Sequence, residues 1–258
     1  MPSRPLVLSF AASDPTCGAG LQADVLAIAA MGCHPLSVLT AFTVQDTSGV
    51  ESLQALDPEA LTRQARCLLA ELPVAAFKLG VLGSAQNARA VAEIIGAHPN
   101  VPVVLDPVLA SGRGDPLAGD DLLLALRDLI VPRATLVKPN SLEARRLGGP
   151  RALLDLGARY VLVTGAHEPG ADVVNTLYGA DGSVREDRWA RLPGSYHGSG
   201  CTLSSAVAAA IARGATVPDA ALEAQAFTWE ALSHGFRPGR GQFIPDRFFA
   251  AGGMKKAK

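Results

Sequence analysis

The chain has 258 residues, and its 23 Lys and Arg side chains nearly balance 24 Asp and Glu side chains, a formal net charge of −1 at pH 7. A chain of this length forms one large α/β domain or two small ones. Because the charge is balanced and no long basic run occurs, nucleic acid and anionic membranes are poor candidate partners. The 48% of apolar residues suffices for a sizeable core, but no segment approaches membrane-spanning length.

The cysteines contain no C-x-x-C pair and no zinc-finger spacing; they are Cys17, Cys33, Cys67 and Cys201. We therefore expect reduced thiols and a cytoplasmic protein. The apolar run at residues 6–12 follows a single arginine and leads directly into a glycine-containing turn. This context indicates a strand rather than a signal peptide.

Apolar periodicity predicts strands that alternate with helices along the chain. Predicted strands occupy residues 5–12, 36–44, 74–79, 101–105, 135–137 and 160–163, with a hairpin of 173–178 and 183–189 around Asp181-Gly182. Predicted helices occupy residues 21–30, a stretch from Asp57-Pro58 to near Pro73, a stretch capped by Ser84, 120–130, a short segment bearing Glu143, 151–156, a segment ending at Gly214, and a last one from Pro218.

Alternating strands and helices favour a parallel sheet covered on both faces. No break in composition divides the chain, which predicts a single domain over residues 1–250 and a short basic tail at 251–258. Ligands of open α/β sheets bind at the carboxyl ends of the strands. Four polar residues fall at such ends, namely Gln45, Asp106, Asn140 and Thr164.

One stretch joins two glycines and small hydroxyl residues to a helical pattern, His197-Gly198-Ser199-Gly200-Cys201-Thr202. A glycine-rich loop that enters a helix presents free N–H groups at the positive end of the helix dipole, which is an anion site. A plain loop before a buried alanine-rich helix explains the stretch equally well. Motifs that would assign it otherwise are absent: there is no P-loop, no G-x-G-x-x-G after the first strand, no G-x-S-x-G and no H-E-x-x-H.

Taken together, the motifs resemble those of the hydroxymethylpyrimidine and phosphomethylpyrimidine kinases of thiamine synthesis, within the ribokinase-like superfamily. The matching runs appear in family order and cover nearly the whole chain: SDPTCGAGLQAD at 13–24, TVQDT at 43–47, KLG at 78–80, VVLDPV at 103–108, PNSLEA at 139–144 and HGSGCT at 197–202. The first run is specific, whereas the glycine loop is common to the superfamily. A cysteine at 201, where most sugar kinases carry Asp, narrows the resemblance to the pyrimidine and pyridoxal kinase branch.

The resemblance implies a three-layer α/β/α sandwich with a mostly parallel sheet, usually in a homodimer. It also implies ATP and Mg²⁺, and two phosphorylations of 4-amino-5-hydroxymethyl-2-methylpyrimidine, first to the monophosphate and then to the diphosphate. A pyridoxal kinase, of single or dual activity, is the nearest alternative. A pyrimidine sensor without turnover is the alternative from another class.

The implied roles fit the chemistry of phosphoryl transfer, which depends on positioning and charge neutralisation. Gly198, Ser199 and Gly200 would offer N–H groups to the transferring phosphoryl. Cys201, with a pKa lowered by the helix N-terminus, would act as the base toward the substrate hydroxyl. A small buried structural thiol is the alternative for Cys201.

Carboxylates and an amide supply the implied magnesium and nucleotide contacts. Asp106 and Glu143 suit Mg²⁺, directly or through water. Asn140 suits the nucleotide phosphates or metal-bound waters. Helix-start carboxylates and a turn-forming asparagine are the respective alternatives.

Gln45 offers a donor and an acceptor in one plane, which matches the amine and ring nitrogen of an aminopyrimidine as glutamine matches adenine in DNA. A solvated loop glutamine is the alternative. The resemblance also places Ala12, Asp24, Val81 and Val108 at substrate positions. Asp24 is equally an ordinary acid of a first helical turn.

Two departures from the family pattern concern the nucleotide. The usual K-G-G-H is here Thr164-Gly165-Ala166-His167, which lacks the phosphate-binding lysine, and residues 239–245 match the G-x-G-x-x-P ending only loosely. Thr164 and Gly165 remain candidate nucleotide contacts. Another cation is then needed, and Lys138 at a strand end or Arg113 in a glycine-rich segment would supply it. Lys138 pointing to solvent is an equally open alternative.

Overall fold

The computed structural model describes residues 4–110 and 117–251. Its centre is a nine-stranded sheet in the order β3-β2-β1-β4-β5-β6-β7-β8-β9. The strands are β1 Leu6–Ser13, β2 His34–Gln45, β3 Val50–Ala55, β4 Val74–Leu79, β5 Val103–Leu105, β6 Leu136–Val137, β7 Tyr160–Thr164, β8 Asp172–Gly179 and β9 Gly182–Ala190. The run from β2 to β7 is parallel, and β3, β8 and β9 are antiparallel, which confirms the predicted mostly parallel sheet.

Helices pack on both faces of this sheet. They are α1 Gly20–Ala30, α2 Pro58–Leu69, α3 Ala85–Gly96, α4 Asp120–Ala125, α5 Ser141–Arg146, α6 Gly149–Asp155, α7 Ser199–Ala212 and α8 Val217–Ser233. Helices α2, α3, α4 and α6 contribute to one apolar cluster, and α1, α7 and α8 contribute to a second cluster. Successive strand residues point to opposite faces, so Val7 joins the second cluster while Leu8 joins the first. The three-layer α/β/α arrangement is confirmed.

The helix starts follow from local sequence. The Asp57 carboxylate accepts a hydrogen bond from the Ala60 N–H at 2.9 Å, and Pro58 occupies the first helical position of α2. Ser84 caps α3 through the Asn87 N–H at 3.1 Å. Both starts lie where the sequence predicts them.

The secondary structure differs from the prediction in two places, one missed strand and one helix that changes type. Strand β3 is not predicted, because its residues Glu51, Ser52 and Gln54 form no apolar run on this sheet edge. The polar loop at 45–49 is therefore the turn of a β2–β3 hairpin. The predicted helix 120–130 is α-helical only to Ala125 and then widens into a π-helical turn, Leu126–Ile130. Within the described ranges, no helix has the length and apolarity required to cross a membrane.

Candidate active site

A cavity of about 480 Å³ opens where the parallel strands end. Its lining brings together most of the residues that the sequence singles out: Ala12, Gln45, Val81, Asp106, Val108, Lys138, Asn140, Glu143, Thr164, Gly198, Ser199, Gly200 and Cys201. The convergence of polar strand ends predicted from the sequence is therefore present. Asp24 and Gly165 are not in the lining. Arg113 and residues 252–258 of the basic tail lie outside the described residues.

The glycine loop requires its glycines. Gly198 precedes α7 with a φ of +76°, and a Cβ there would collide with the Gly18 carbonyl oxygen. A Cβ on Gly200 would lie 3.0 Å from Lys138 Nζ and 3.6 Å from Asp106 Oδ2. The absence of side chains thus allows the first turn of α7, with its free N–H groups, to approach the charged groups that end β5 and β6.

Those charged groups form a buried ion pair. Lys138 Nζ lies 2.9 Å from Asp106 Oδ1, and Ser204 Oγ donates to Asp106 Oδ2 at 3.1 Å. Burial opposes the charged ammonium, but the carboxylates of Asp106 and Glu143 outweigh burial and raise the pKa of Lys138. Lys138 is only 3% exposed, so the alternative in which it points to solvent was wrong.

The pKa expected for Cys201 was also wrong in direction. Cys201 lies in the first turn of α7 and is partly exposed toward the cavity, but burial around its sulfur raises the pKa of the thiol to about 11. The positive charge of Lys78 acts in the opposite direction, and the carboxylates of Asp24 and Asp106 add to the increase. With a pKa of about 11, the thiol is protonated at neutral pH.

Asp24 lies beneath the cavity instead of lining it. Its carboxylate accepts hydrogen bonds from Ser9 Oγ at 2.6 Å, Lys78 Nζ at 2.7 Å and Ser205 Oγ at 2.8 Å. Both charged partners are 0% exposed, and Asp24 is the main counter-charge that raises the pKa of Lys78 against the effect of burial. The prediction that Asp24 contacts substrate is therefore replaced by a structural role under Cys201, which the sequence does not reveal.

Asn140 and Glu143 form a capping box at α5. The Asn140 side chain accepts from the Glu143 N–H at 2.8 Å, and Glu143 Oε2 accepts from the Asn140 N–H at 2.9 Å. Glu143 Oε1 also accepts from the Leu109 N–H at 3.2 Å. The helix-start alternative is confirmed, yet both side chains also line the cavity. Burial, with the nearby Asp106 charge, raises the pKa of Glu143 to about 7, although Lys138 lowers it.

At the β2 end of the cavity, Gln45 is half-buried and its Nε2 donates to Thr43 Oγ1 at 2.7 Å. Thr43 Oγ1 donates in turn to the Ser13 carbonyl at 2.9 Å. Gln45 is thus held in the wall of the cavity by strand β1 and is not a solvated loop residue. Gly165 donates its N–H to Asn175 Oδ1 at 3.1 Å and packs against β8, outside the lining.

Sequence reasoning missed a histidine–aspartate hydrogen bond and an arginine that hold the loops together. His197 Nε2 lies 2.7 Å from Asp14 Oδ2. Arg247 is 3% exposed and donates to Thr202 Oγ1 at 3.0 Å and to the Gly18 carbonyl. Asp14 and His197 both stand inside matched runs, which marks each residue but does not pair them. No local pattern marks Arg247.

The C-terminal segment connects the glycine loop to the β2–β3 turn. The backbone of Phe243 pairs with the residues that lead into the glycine loop. Its carbonyl accepts from the His197 N–H at 2.8 Å, and its N–H donates to the Ser195 carbonyl at 2.9 Å. Gln242 N donates to the Thr47 carbonyl at 2.8 Å. The loosely matching ending therefore occupies a defined place between the two sides of the cavity.

Gln225 organises the far side of the cavity. Its Oε1 accepts from Asn175 Nδ2 at 2.9 Å and from Trp189 Nε1 at 3.0 Å, and its Nε2 donates to Asp187 Oδ2 at 2.8 Å. This network also escaped sequence reasoning, because its members come from β8, β9 and α8. Within residues 4–110 and 117–251, no group of three or more His, Cys, Asp or Glu side chains could hold a metal ion on its own.

Comparison with known proteins agrees with this arrangement. The family model of phosphomethylpyrimidine kinase matches residues 14–246. The chain belongs to the phosphomethylpyrimidine kinase family. It is 39% identical over 264 residues to a hydroxymethylpyrimidine/phosphomethylpyrimidine kinase of Streptomyces coelicolor, with 96% of each chain covered. The resemblance identified from the sequence is confirmed.

Solved structures share the fold across the same range. The ADP complex of Bacillus subtilis pyridoxal kinase superposes with a TM-score of 0.88 at 26% identity, covering 96% of this chain and 99% of that one. The phosphomethylpyrimidine kinase of Clostridium difficile 630 superposes with a TM-score of 0.77 at 29% identity, covering 89% of this family member and 100% of the other chain. The ribokinase-like architecture is confirmed.

Proposed function

We propose that this chain is an ATP-dependent kinase that phosphorylates 4-amino-5-hydroxymethyl-2-methylpyrimidine and then its monophosphate, giving the diphosphate used in thiamine synthesis. The single observation that carries the proposal is one cavity that holds both Gln45 and the glycine loop with Cys201. Gln45 offers the donor and acceptor that an aminopyrimidine edge requires. The first turn of α7 offers N–H groups to the phosphoryl that is transferred.

ATP and Mg²⁺ belong to this proposal. Mg²⁺ in kinases needs only one or two protein carboxylates because the phosphates and water supply its other ligands. Asp106 and Glu143 fit that requirement, since both line the cavity and the charge of Asp106 raises the pKa of Glu143, as happens between neighbouring carboxylates. When bound, Mg²⁺ would neutralise phosphate charge. Both oxygens of each carboxylate already have a partner, two N–H groups for Glu143 and Lys138 with Ser204 for Asp106, so either would bind the metal directly or through water.

The base for the hydroxymethyl group is Cys201, which the cavity reaches at the start of α7. Because the thiol has a pKa of about 11, only a small fraction of it is thiolate at neutral pH, and the thiolate is the form that accepts a proton. The nearby Lys78 favours the thiolate form. Lys78 therefore acts in the direction that this role needs.

A coupled ATPase assay with mass spectrometry of the products tests the proposal. The aminopyrimidine should yield monophosphate first and diphosphate later, and Cys201→Ala should abolish most turnover. Cys67→Ala, on an exposed cysteine of α2, is the matched control and should behave as the wild type. ATP consumption without phosphorylated pyrimidine, or no turnover at all, would contradict the kinase proposal.

The likeness to B. subtilis pyridoxal kinase favours pyridoxal phosphorylation as a second candidate activity. The same assay with pyridoxal separates the cases, because a dedicated pyridoxal kinase turns over pyridoxal and leaves the aminopyrimidine unphosphorylated. A silent sensor binds without turnover; the presence of both Asp106 and Cys201 in one cavity argues against this alternative.

The homodimer is likewise a proposal. Phe42 and Val44 are 40% and 50% exposed on β2, next to the edge strand β3, and would be covered by a second copy. Light scattering after size exclusion measures the mass directly.

The four cysteines are unpaired, which fits the reduced thiols predicted, and the cytoplasmic location stays a prediction.

A further inference from the structure

We propose that Lys138 binds the phosphoryl group that ATP transfers, and that it does so while keeping its ion pair with Asp106. This inference rests on the proposed kinase function and adds a residue to it. It assigns the phosphate-binding cation to the end of β6. Thr164, which ends the neighbouring strand β7 where the resemblance would place a phosphate-binding lysine, is neutral and cannot supply this charge.

The position of the ammonium supports this assignment. Lys138 Nζ lies 2.9 Å from Asp106 Oδ1 and only 3.0 Å from the point where a Gly200 Cβ would stand. It is therefore already beside the first turn of α7. The free N–H groups of that turn and the ammonium would act on the same phosphate oxygens.

The hydrogen-bonding capacity of the ammonium supports it as well. A lysine carries three N–H donors and no acceptor. The pair with Asp106 needs one of these donors, so others remain for a phosphate. Lys138 can thus bind phosphate without leaving Asp106 as a buried charge with no partner, which is costly.

The other cations considered, Arg191 and Lys78, already have partners of their own. Arg191 also lines the cavity, but it is half-buried and its guanidinium donates to the carbonyls of Ala166 at 2.8 Å and Gly170 at 2.8 Å. Lys78 is 0% exposed, does not line the cavity and is paired with Asp24. Thr164 is joined to Asn140 by a β-bridge, which places it one strand away from Lys138 with a neutral side chain.

The test compares two nucleotides that differ in the transferred group. Calorimetry would measure the affinity of AMP-PCP, an ATP analogue that is not hydrolysed, and of ADP, each with Mg²⁺. Lys138→Gln removes the charge but can still donate to Asp106. We expect this variant to lower the affinity for AMP-PCP about 10- to 100-fold, which is the effect of losing a hydrogen bond between charged groups. Its affinity for ADP should fall much less. Affinity for the aminopyrimidine should stay unchanged.

Arg151→Gln is the matched control, because it removes one positive charge from an exposed pair with Asp155 on α6. It should bind both nucleotides as the wild type does. A second variant, Lys138→Gln with Thr164→Lys, returns a cation one strand away and should recover part of the AMP-PCP affinity. Equal affinities of Lys138→Gln and wild type for AMP-PCP, or equal losses for ADP and AMP-PCP, would overturn the inference.

A crystal structure of the wild type with AMP-PCP and Mg²⁺ gives an answer even if the variants fail to fold. Lys138 Nζ within about 3 Å of a γ-phosphate oxygen supports the inference, and an ammonium out of reach of the phosphate overturns it. Failure of the proposed function is a separate result. It would appear as absent pyrimidine turnover in the wild type, whereas failure of this inference leaves that turnover intact.

Discussion

Nε2 of His197 lies 2.7 Å from Oδ2 of Asp14, although 183 positions separate the two residues in the chain. The same carboxylate accepts the Ala19 N–H at 2.7 Å and the Thr16 N–H at 2.8 Å. Asp14 therefore organises the loop before α1, and His197 attaches the glycine loop to it. The pair joins two sides of the cavity through one buried carboxylate.

Stability at acid pH should depend on this pair. Burial raises the pKa of Asp14, but the hydrogen bonds from His197, Ala19 and Thr16 outweigh burial and hold that pKa below its usual value. A lowered folded-state pKa contributes stability above the unfolded-state pKa, and that stability is lost as the pH falls through the folded-state value. Asp14→Asn should lower the free energy of unfolding by about 1–3 kcal/mol at pH 7, and by less at acid pH once the pH falls below the usual aspartate pKa.

Urea unfolding of both proteins at pH 7, 5 and 3 measures this difference. Asp181→Asn, at the exposed turn of the β8–β9 hairpin, is the control and should change stability little at any pH. A loss in Asp14→Asn that is the same at pH 7 and pH 3 would contradict the role assigned to the ionised carboxylate.

The order of strands and helices was predictable because it depends on local patterns. Asp57 and Ser84 cap their helices through nearby N–H groups, and Gln45, Asp106, Asn140 and Thr164 end strands that converge in any open parallel sheet. Strand β3 was missed because an edge strand with exposed polar residues has no distinctive pattern. Side-chain charge states were less accessible to prediction, because they depend on contacts distant in sequence.

The pKa of Cys201 illustrates that dependence. A helix N-terminus, visible in the sequence, lowers a thiol pKa. Burial next to Asp24 and Asp106, which the sequence does not show, raises it instead. The partner of Asp24 is Lys78, 54 positions away, and the two cannot be paired from spacing alone.

Turnover should rise with pH if Cys201 is the base. The pH dependence of kcat/KM reports groups of the free enzyme, and a thiol with a pKa of about 11 gains thiolate about tenfold per pH unit between pH 7 and 9. Cys201→Ala should lower kcat by about two to four orders of magnitude, the usual contribution of a general base. Cys201→Asp should remove most of the slope. A flat wild-type profile with near-normal turnover of Cys201→Ala would make the thiol structural.

Gln45 should discriminate between the two candidate substrates. Gln45→Leu leaves the polar edge of a bound aminopyrimidine without its partner, at a cost of about 1–3 kcal/mol in binding. Pyridoxal lacks the exocyclic amine, so its affinity should fall less. Calorimetric titration of each ligand measures the two losses, and Thr62→Val on α2, outside the cavity lining, is the control. Equal losses for both ligands would remove the recognition role from Gln45.

Replacement of Asp106 should affect both the magnesium dependence of activity and the stability of the fold. Asp106→Asn removes the counter-charge of Lys138 and leaves a buried ammonium, which costs about 3–5 kcal/mol when a buried pair is broken from one side. If Asp106 also holds Mg²⁺, activity of the folded variant should fall and recover partly at high metal concentration. Thermal unfolding and a magnesium titration separate the effects. An unchanged magnesium dependence would exclude Asp106 as a ligand.

The buried pair of Lys78 and Asp24 should behave as one unit. Lys78→Met leaves the carboxylate with two serine hydroxyls but no cation, and it should destabilise the fold by about 3–5 kcal/mol. Adding Asp24→Asn removes the stranded charge. Ser9 and Ser205 donate to different oxygens of Asp24, so the asparagine oxygen accepts from one hydroxyl and its NH₂ group can donate to the other. The double variant should therefore be more stable than Lys78→Met alone, although it carries more changes.

Urea unfolding of the wild type, both single variants and the double variant gives the coupling energy between the two residues. Arg151→Met, which breaks an exposed pair with Asp155, should change stability by no more than about 1 kcal/mol. Losses that simply add in the double variant would show that Lys78 stabilises the fold by packing. A coupling of several kcal/mol means that the charge of Lys78 is fixed by Asp24, which is the condition for its effect on the thiol of Cys201.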